Sequence, residues 1–182
     1  MEVSEAIQAR KSVRSFDSKP VPEDVLTRVL EAGRFAPSAK NYQPWHFVVV
    51  KDQKKREVLS EGKYAKFLKD TPMVIVGCGD QEASEKWCVV DCSIALQQMV
   101  IAATGEGLGT CWIGSFYEDR VRELLKIPPR YKIVAMLAVG YPKGRFEIAS
   151  KPLGTRNRKK LDEITSFEEF GKGKGTEQVI AS

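Results

Sequence analysis

The chain has 182 residues, 42% hydrophobic and 29% charged, the balance of a single soluble globular domain rather than of a disordered or fibrous chain. Its 29 Lys+Arg against 24 Asp+Glu leave a net charge of +5, too small for a wholesale polyanion binder, so the position of the excess matters more than its size. Apolar runs such as Val134 to Val139 fall far short of the ~20 residues of a membrane span, and residues 1–20 carry Glu5, Arg10, Lys11, Arg14 and Asp17 with no apolar signal region, so no membrane partner is expected and cytoplasmic residence is.

Residues 3–11 read as a short helix with Val3, Ile7 and Lys11 on one side. Pro22, followed by Glu23 and Asp24, opens a second helix. Val25, Leu26, Val29, Leu30 and Gly33 form its inner face with helical period, and Pro37 ends it. The polar, proline-bounded segment 37–44 is irregular and runs into a strand at 46–50. Residues 52–69 are charged surface helix, and 73–77 is a second strand. Residues 84–104 are apolar on nearly all sides, with a narrow polar stripe of Ser93 and Gln97 that extends toward Asp91 and Thr104. Such a helix is buried on nearly all sides, and in a chain this small a dimer interface is one way to bury it. Gly105 to Gly109 ends it. A strand at 110–113, a helix at 117–126 stopped by Pro128-Pro129, and a strand at 133–140 follow. Helices first, then strands alternating with helices, predict an α+β fold, read as a three-layer α-β-α sandwich around a small mixed sheet. The expected domain is 1–170, with 143–170 as a C-terminal extension and 171–182 as a frayed tail.

No acid–base or nucleophile set stands out. There is no nucleophile elbow, phosphate loop or paired-histidine metal motif. The four cysteines form no CxxC pair and His46 is the single histidine, so no metal site is expected. The cysteines read as structural thiols, and His46 as a partly buried spacer bonded to backbone. The glycines at 105, 107 and 109 follow a helix and precede a strand, the reverse of the dinucleotide-binding order. What remains is cationic. Arg10, Lys11, Ser12 and Arg14 fall within five residues. Lys151 to Lys160 carries five bases and no acid, and in extended chain Arg156 and Arg158 point the same way. Each group also reads as a solvated charge cluster or an exposed basic tail. With no neighbouring aromatics, nucleic acid is not an expected partner. Many donors and no general acid suit a bound cofactor that carries the reaction. A flavin needs cations near its pyrimidine edge, a donor facing the nitrogen that accepts the hydride, and bases for its phosphate.

Three blocks resemble the FMN-dependent nitroreductase family over nearly the whole length. They are Arg10-Lys11-Ser12-Val13-Arg14-Ser15-Phe16; the stretch from Ala36-Pro37-Ser38-Ala39-Lys40-Asn41 to Val50; and Gly107 to Gly114, with Gly140-Tyr141-Pro142 downstream. The resemblance implies a nitroreductase-type sandwich with a central mixed, mainly antiparallel sheet, and an intertwined homodimer with FMN at the subunit interface. It implies that Arg10, Lys11, Ser12 and Arg14 hold the phosphate, ribityl chain and pyrimidine edge, and that Pro37, Ser38, Ala39 and Asn41 reach the flavin from the partner subunit. Ile113, Gly114 and Ser115 would lie against the ring, with Gly114 backbone near the hydride-accepting nitrogen, and Arg156 and Arg158 would bind phosphate. No side chain is assigned to catalysis, because the chemistry would occur on FMN. Lys11 stands where arginine is common, and Gly114 where some members carry glutamate. The implied activity is ping-pong hydride transfer from NADH or NADPH, through FMN, to a small-molecule acceptor such as a nitroaromatic or quinone. The alternatives are a flavin-binding or storage protein without turnover, and a member with a specialised acceptor or deazaflavin partner.

Overall fold

The computed structural model describes residues 1–144 and 158–172. The chain forms two units, Met1–Ile148 and Ala149–Ser182. Four strands build the first unit: β1 (Trp45–Val50), β2 (Met73–Asp80), β3 (Gly109–Ile113) and β4 (Tyr131–Gly140), in the order β1-β2-β4-β3. All three strand pairings are antiparallel. The parallel contact of this unit is an isolated bridge from Ser12 to Thr110.

Strand alternation sorts the core into two layers. On one face Met73, Ile75, Leu137 and Val139 meet α2 (Glu23–Arg34) and α4 (Cys88–Gly105) through Val25, Val29, Leu96, Met99 and Val100. On the other, Val74, Val76, Met136 and Ala138 meet Leu59 of α3 (Gln53–Leu59), Leu68, and Val121 of α5 (Glu118–Leu125). The result is the expected α-β-α sandwich. A bulge adjusts the alternation: Gly77 pairs with Ala135 and Cys78 with Ile133, leaving Val134 as the extra residue. Ile133 and Met136 consequently share one layer, while Val134 and Ala135 share the other. At Gly77 an added Cβ would lie 2.6 Å from Leu96 Cδ1, so the missing side chain lets α4 settle onto the sheet.

The element boundaries differ in small ways. β2 runs on to Asp80 because Cys78, Gly79 and Asp80 continue the ladder with Ile133, Lys132 and Tyr131. The helix expected from 84 starts at Cys88, after turns. The first helix, α1 (Val3–Ala9), stops short of the cationic residues.

The larger difference concerns α4. Cys92, Ala95, Leu96, Met99, Val100 and Ala103 are buried, but Val89, Val90 and Ile94 are exposed. Within one chain this helix is therefore covered on one side only. By length and hydropathy alone it could cross a membrane, and half of it is buried against its own sheet and α2. Among its described residues the second unit has a turn of 3-10 helix, Leu161–Glu163, and a Phe167 N–H that donates to Lys172 O at 3.0 Å. Its Leu161, Ile164, Phe167 and Phe170 are exposed.

Arg56, 9% exposed, knits α3 to the chain on either side. Its guanidinium donates to Lys51 O at 3.3 Å, Lys69 O at 2.9 Å, Gln53 Oε1 at 2.6 Å and the Thr71 carbonyl. Burial pulls its pKa below the ordinary arginine value, against the charges of Asp52, Glu57 and Asp70. Arg56→Leu leaves buried carbonyls without donors. The expected cost is about 2–3 kcal/mol, read as a lower urea midpoint at unchanged m-value.

Candidate functional site

The segment after α1 is extended and sewn to the sheet. Val13 N–H donates to Thr110 O at 2.9 Å, Asp17 N–H to Tyr141 O at 2.8 Å, and Lys143 N–H to Ser15 O at 3.0 Å. Val13 and Phe16 enter the core. Ser12 and Arg14 are exposed, and Arg10 and Lys11 are half-buried. This anchoring makes the cationic block a fixed feature rather than a solvated tail.

Cys111 of β3 is where these side chains meet. Burial pushes its thiol up, while the Arg14 charge, a hydrogen bond from Ser12, and the Arg10 charge act in the opposite direction. Arg10, Ser12 and Arg14 are thus gathered around one point on β3. Two residues further on the strand ends: Ile113 is 4% exposed, and Gly114 and Ser115 emerge at the surface. A Cβ at Gly114 would touch nothing within 4 Å. Cations on a rigid segment, next to open strand-end backbone, can take a planar ring with an anionic tail.

That strand end is held from below. At Gly62 an added Cβ would lie 2.7 Å from Ser115 O and 3.4 Å from Phe116 Cα. Arg120 is ion-paired with Glu61. The turn after α3 is therefore packed directly against the backbone at 115–116.

Pro37, Ser38, Ala39 and Asn41 are held elsewhere. Their loop carries positive φ at Lys40 (49°), Asn41 (59°) and Gln43 (49°). It is anchored to the first turn of α4, where Asp91 Oδ2 accepts from Ala39 N–H at 3.2 Å. The Arg10–Arg14 segment attaches at Thr110, past the other end of that helix. With 1.5 Å rise per residue, Asp91 and Gly105 are about 21 Å apart. One chain therefore fastens the Arg10–Arg14 segment to β3 at Thr110, and the 37–41 loop at the far end of α4. Arg158 is exposed in the second unit, and Arg156 lies outside the described residues.

Along α4 a groove of about 890 Å³ is lined by Val3, Ile7, Phe35, Val90, Ile94 and Ile101 among others. Phe35 is 70% exposed and Ile7 55%. So large an exposed apolar face is of the kind that interaction surfaces present.

The four cysteines are free and buried. Burial pushes Cys78 up to about 11 and Cys92 up to about 12, so both are thiols at neutral pH. His46 differs from its expected role. Its side chain is exposed and its ring lies 5.8 Å from that of Tyr131, on the same face of edge strand β1 as Val48 and in a cavity shared with Cys78 and Ile127. Cys111, Asp91 and Gly62 were not singled out as site residues. Asp91 carried a signal, as an acid in the polar stripe of an apolar helix. Cys111 and Gly62 carried none, because their roles depend on contacts distant in sequence.

A four-stranded antiparallel sheet sandwiched by helices, with a cationic segment bridged to β3, defines the class: an α+β sandwich protein. The sequence profile of the nitroreductase family matches residues 7–62 and 56–141. A protein of Methanothermobacter thermautotrophicus with the provisional name NADH dehydrogenase/NAD(P)H nitroreductase is 38% identical over 149 residues, covering 78% of each chain. A crystal structure of a similarly named Parabacteroides distasonis protein aligns with TM-score 0.81 at 34% identity, over 91% of this chain and 97% of that one. A provisionally named Desulfovibrio desulfuricans nitroreductase, crystallised in complex with FMN, aligns with TM-score 0.80 at 28% identity, over 93% and 98%. The chain belongs to the nitroreductase family, a family of oxidoreductases.

Gly62→Ala is expected to displace the Ser115–Phe116 backbone, since a carbonyl oxygen cannot yield as a flexible side chain can. The expected result is a fall in kcat of about tenfold or more with the fold retained, in line with the sensitivity of catalysis to small misplacements. Steady-state kinetics with circular dichroism checks it.

Proposed function

We propose that this protein is an FMN-dependent oxidoreductase that takes electrons from NADH or NADPH and gives them to a small organic acceptor, of the nitroaromatic or quinone kind. The observation that carries this reading is the bridge from Ser12 to Thr110, which sets the Arg10–Arg14 segment beside β3, the strand that ends at the exposed Gly114. The donor set fits the cofactor. Guanidiniums suit phosphate and ring carbonyl oxygens, a serine hydroxyl suits the ribityl chain, and the Gly114–Ser115 backbone lies where no side chain blocks a ring. Bound FMN supplies two-electron transfer between nicotinamide and acceptor in two half-reactions. The protein's part is to bind, orient and stabilise charge, with no side chain needed as general acid. In this reading Arg14 and Arg10 stabilise the negative charge of the reduced pyrimidine edge, and Lys11 adds charge without a bidentate fork. The Gly114 backbone faces the hydride-accepting nitrogen. The family resemblance adds Arg156 and Arg158 as phosphate ligands.

The working form in this proposal is a homodimer. A second copy, turned end for end along the apolar face of α4, covers Phe35, Val90 and Ile94. It also brings the 37–41 loop of one chain toward the cationic segment of the other, which explains why one chain fastens them at opposite ends of α4. The family also includes relatives of other activity: a Rhodospirillum rubrum protein named 5,6-dimethylbenzimidazole synthase is 26% identical over 188 residues. The acceptor is accordingly the open part of the proposal.

The purified protein is expected to carry a yellow flavin spectrum that bleaches when NADH or NADPH is added anaerobically and returns when a quinone follows. Flavin that binds but never bleaches would identify a storage protein instead. Arg14→Ala is expected to weaken FMN binding by about tenfold or more, the worth of a charge-assisted hydrogen bond, measured by fluorescence titration. Ile94→Asp places a charge in the α4 face and is expected to yield a monomer in sedimentation that no longer retains FMN. A monomer that keeps its flavin would refute the shared site.

A further inference from the structure

We infer that Asp91 is a positioning residue for the cofactor site: its carboxylate holds the strained loop 38–43 in the one conformation that can meet a flavin. The inference rests on the proposed function for the destination of that loop; the anchoring itself stands on geometry.

The loop stores strain. Lys40, Asn41 and Gln43 all have φ between 49° and 59°, a region that costs a side-chain-bearing residue free energy and persists only where surroundings enforce it. Much of the bonding is internal and moves with the loop: Asn41 N–H to Ser38 O and Tyr42 N–H to Ala39 O, both 3.0 Å, and Gln43 N–H to Ser38 Oγ at 2.9 Å. These bonds define a shape but not its place. From outside, Asp80 N–H donates to Pro44 O at 2.6 Å, where the loop has already joined β1. Within the loop, the bond from Ala39 N–H to Asp91 Oδ2 ties it to a helix of the core.

Asp91 is an unusual residue for its position. It is 4% exposed on a helix whose other buried positions are almost all apolar. Burying a carboxylate is costly unless it is hydrogen-bonded. An acid in the first turn also interacts favourably with the helix dipole, but that benefit needs no burial and is available at the exposed neighbouring positions 89 and 90. What position 91 alone offers is an acceptor facing Ala39. The inferred function of the carboxylate is therefore to fix Ser38, Ala39 and Asn41 as a unit, so that their donors meet the ligand without a further ordering cost at binding.

Lys40 supplies a readout independent of flavin, because trypsin cuts after it only when the loop can leave its conformation. In Asp91→Ala, cleavage at Lys40 is expected to rise at least fivefold and FMN affinity to fall about tenfold, with helix content unchanged. Asp91→Asn keeps an oxygen acceptor and is expected to restore both, whereas a dipole role would leave it as impaired as the alanine variant. Should Asp91→Ala fail to fold, Ala39→Pro removes the donor instead. Ser38 already has the extended backbone (φ −142°, ψ 157°) that precedes proline, so this variant is expected to reproduce both effects. Unchanged cleavage in Asp91→Ala overturns the anchor. Faster cleavage with unchanged FMN affinity, while Arg14→Ala still weakens binding, overturns the role in cofactor binding and leaves the flavoenzyme reading intact. A wild-type protein that binds no FMN overturns that reading, and the cleavage arm still decides the anchor.

Discussion

Helix α4 has two apolar sides and one chain to cover them. Its inner side packs on the sheet and α2 through Leu96, Met99 and Val100, while Val90 and Ile94 on the outer side lie open to water. At about 25 cal/mol per Å² of apolar surface, leaving such a face uncovered is a large forfeited gain. The same helix sets the geometry of the candidate site. Its first turn carries the acid that fastens the 37–41 loop, and the turn after its last residue feeds β3, which holds the cationic segment. In the proposed dimer, burial of the outer side and completion of the site are two consequences of one association.

The cations are rigid before any ligand arrives. Two extended pieces of chain, 12–17 and 141–143, are bonded to each other and to β3, and Val13 and Phe16 are packed in the core. Arg10, Arg14 and Ser12 keep their relation to Cys111 without paying for order at binding. Burial raises the pKa of the thiol beneath them, and the Arg14 and Arg10 charges act in the opposite direction.

The architecture was legible where pattern and burial agree. The amphipathic period of α2, the buried runs of β1, β2 and β4, and Pro22 and Pro37 around a helix each have one physical reading, and the structure follows it. The ends of elements were less legible, because Cys78 to Asp80 extend β2 through partners distant in sequence, in β1 and β4. The face of α4 could not be assigned from one sequence: an all-round apolar helix reads the same whether its second side meets its own core or another copy. In the candidate site, the cationic block was visible as composition and spacing, but its fixity was not, since that comes from Thr110 and Tyr141. Gly62 was invisible for the same reason. A glycine that yields to a carbonyl oxygen is recognisable only when both backbones are seen together.

The distribution of rigidity has a chemical logic. The donors proposed for the reacting ring come from the end of a β-strand buttressed by the turn at Gly62 and the Arg120–Glu61 ion pair, so they are placed with the precision of the sheet. Gly114 adds no side chain above that backbone. A protein that lends its cofactor only orientation and charge needs few reactive groups and many fixed ones. The residues found here follow that division: arginines on a sewn-down strand, backbone at a strand end, and a strained loop tied to a core helix. In the proposed function, acceptor choice is left to the shape of the open space beside Gly114, where relatives of one fold are free to differ.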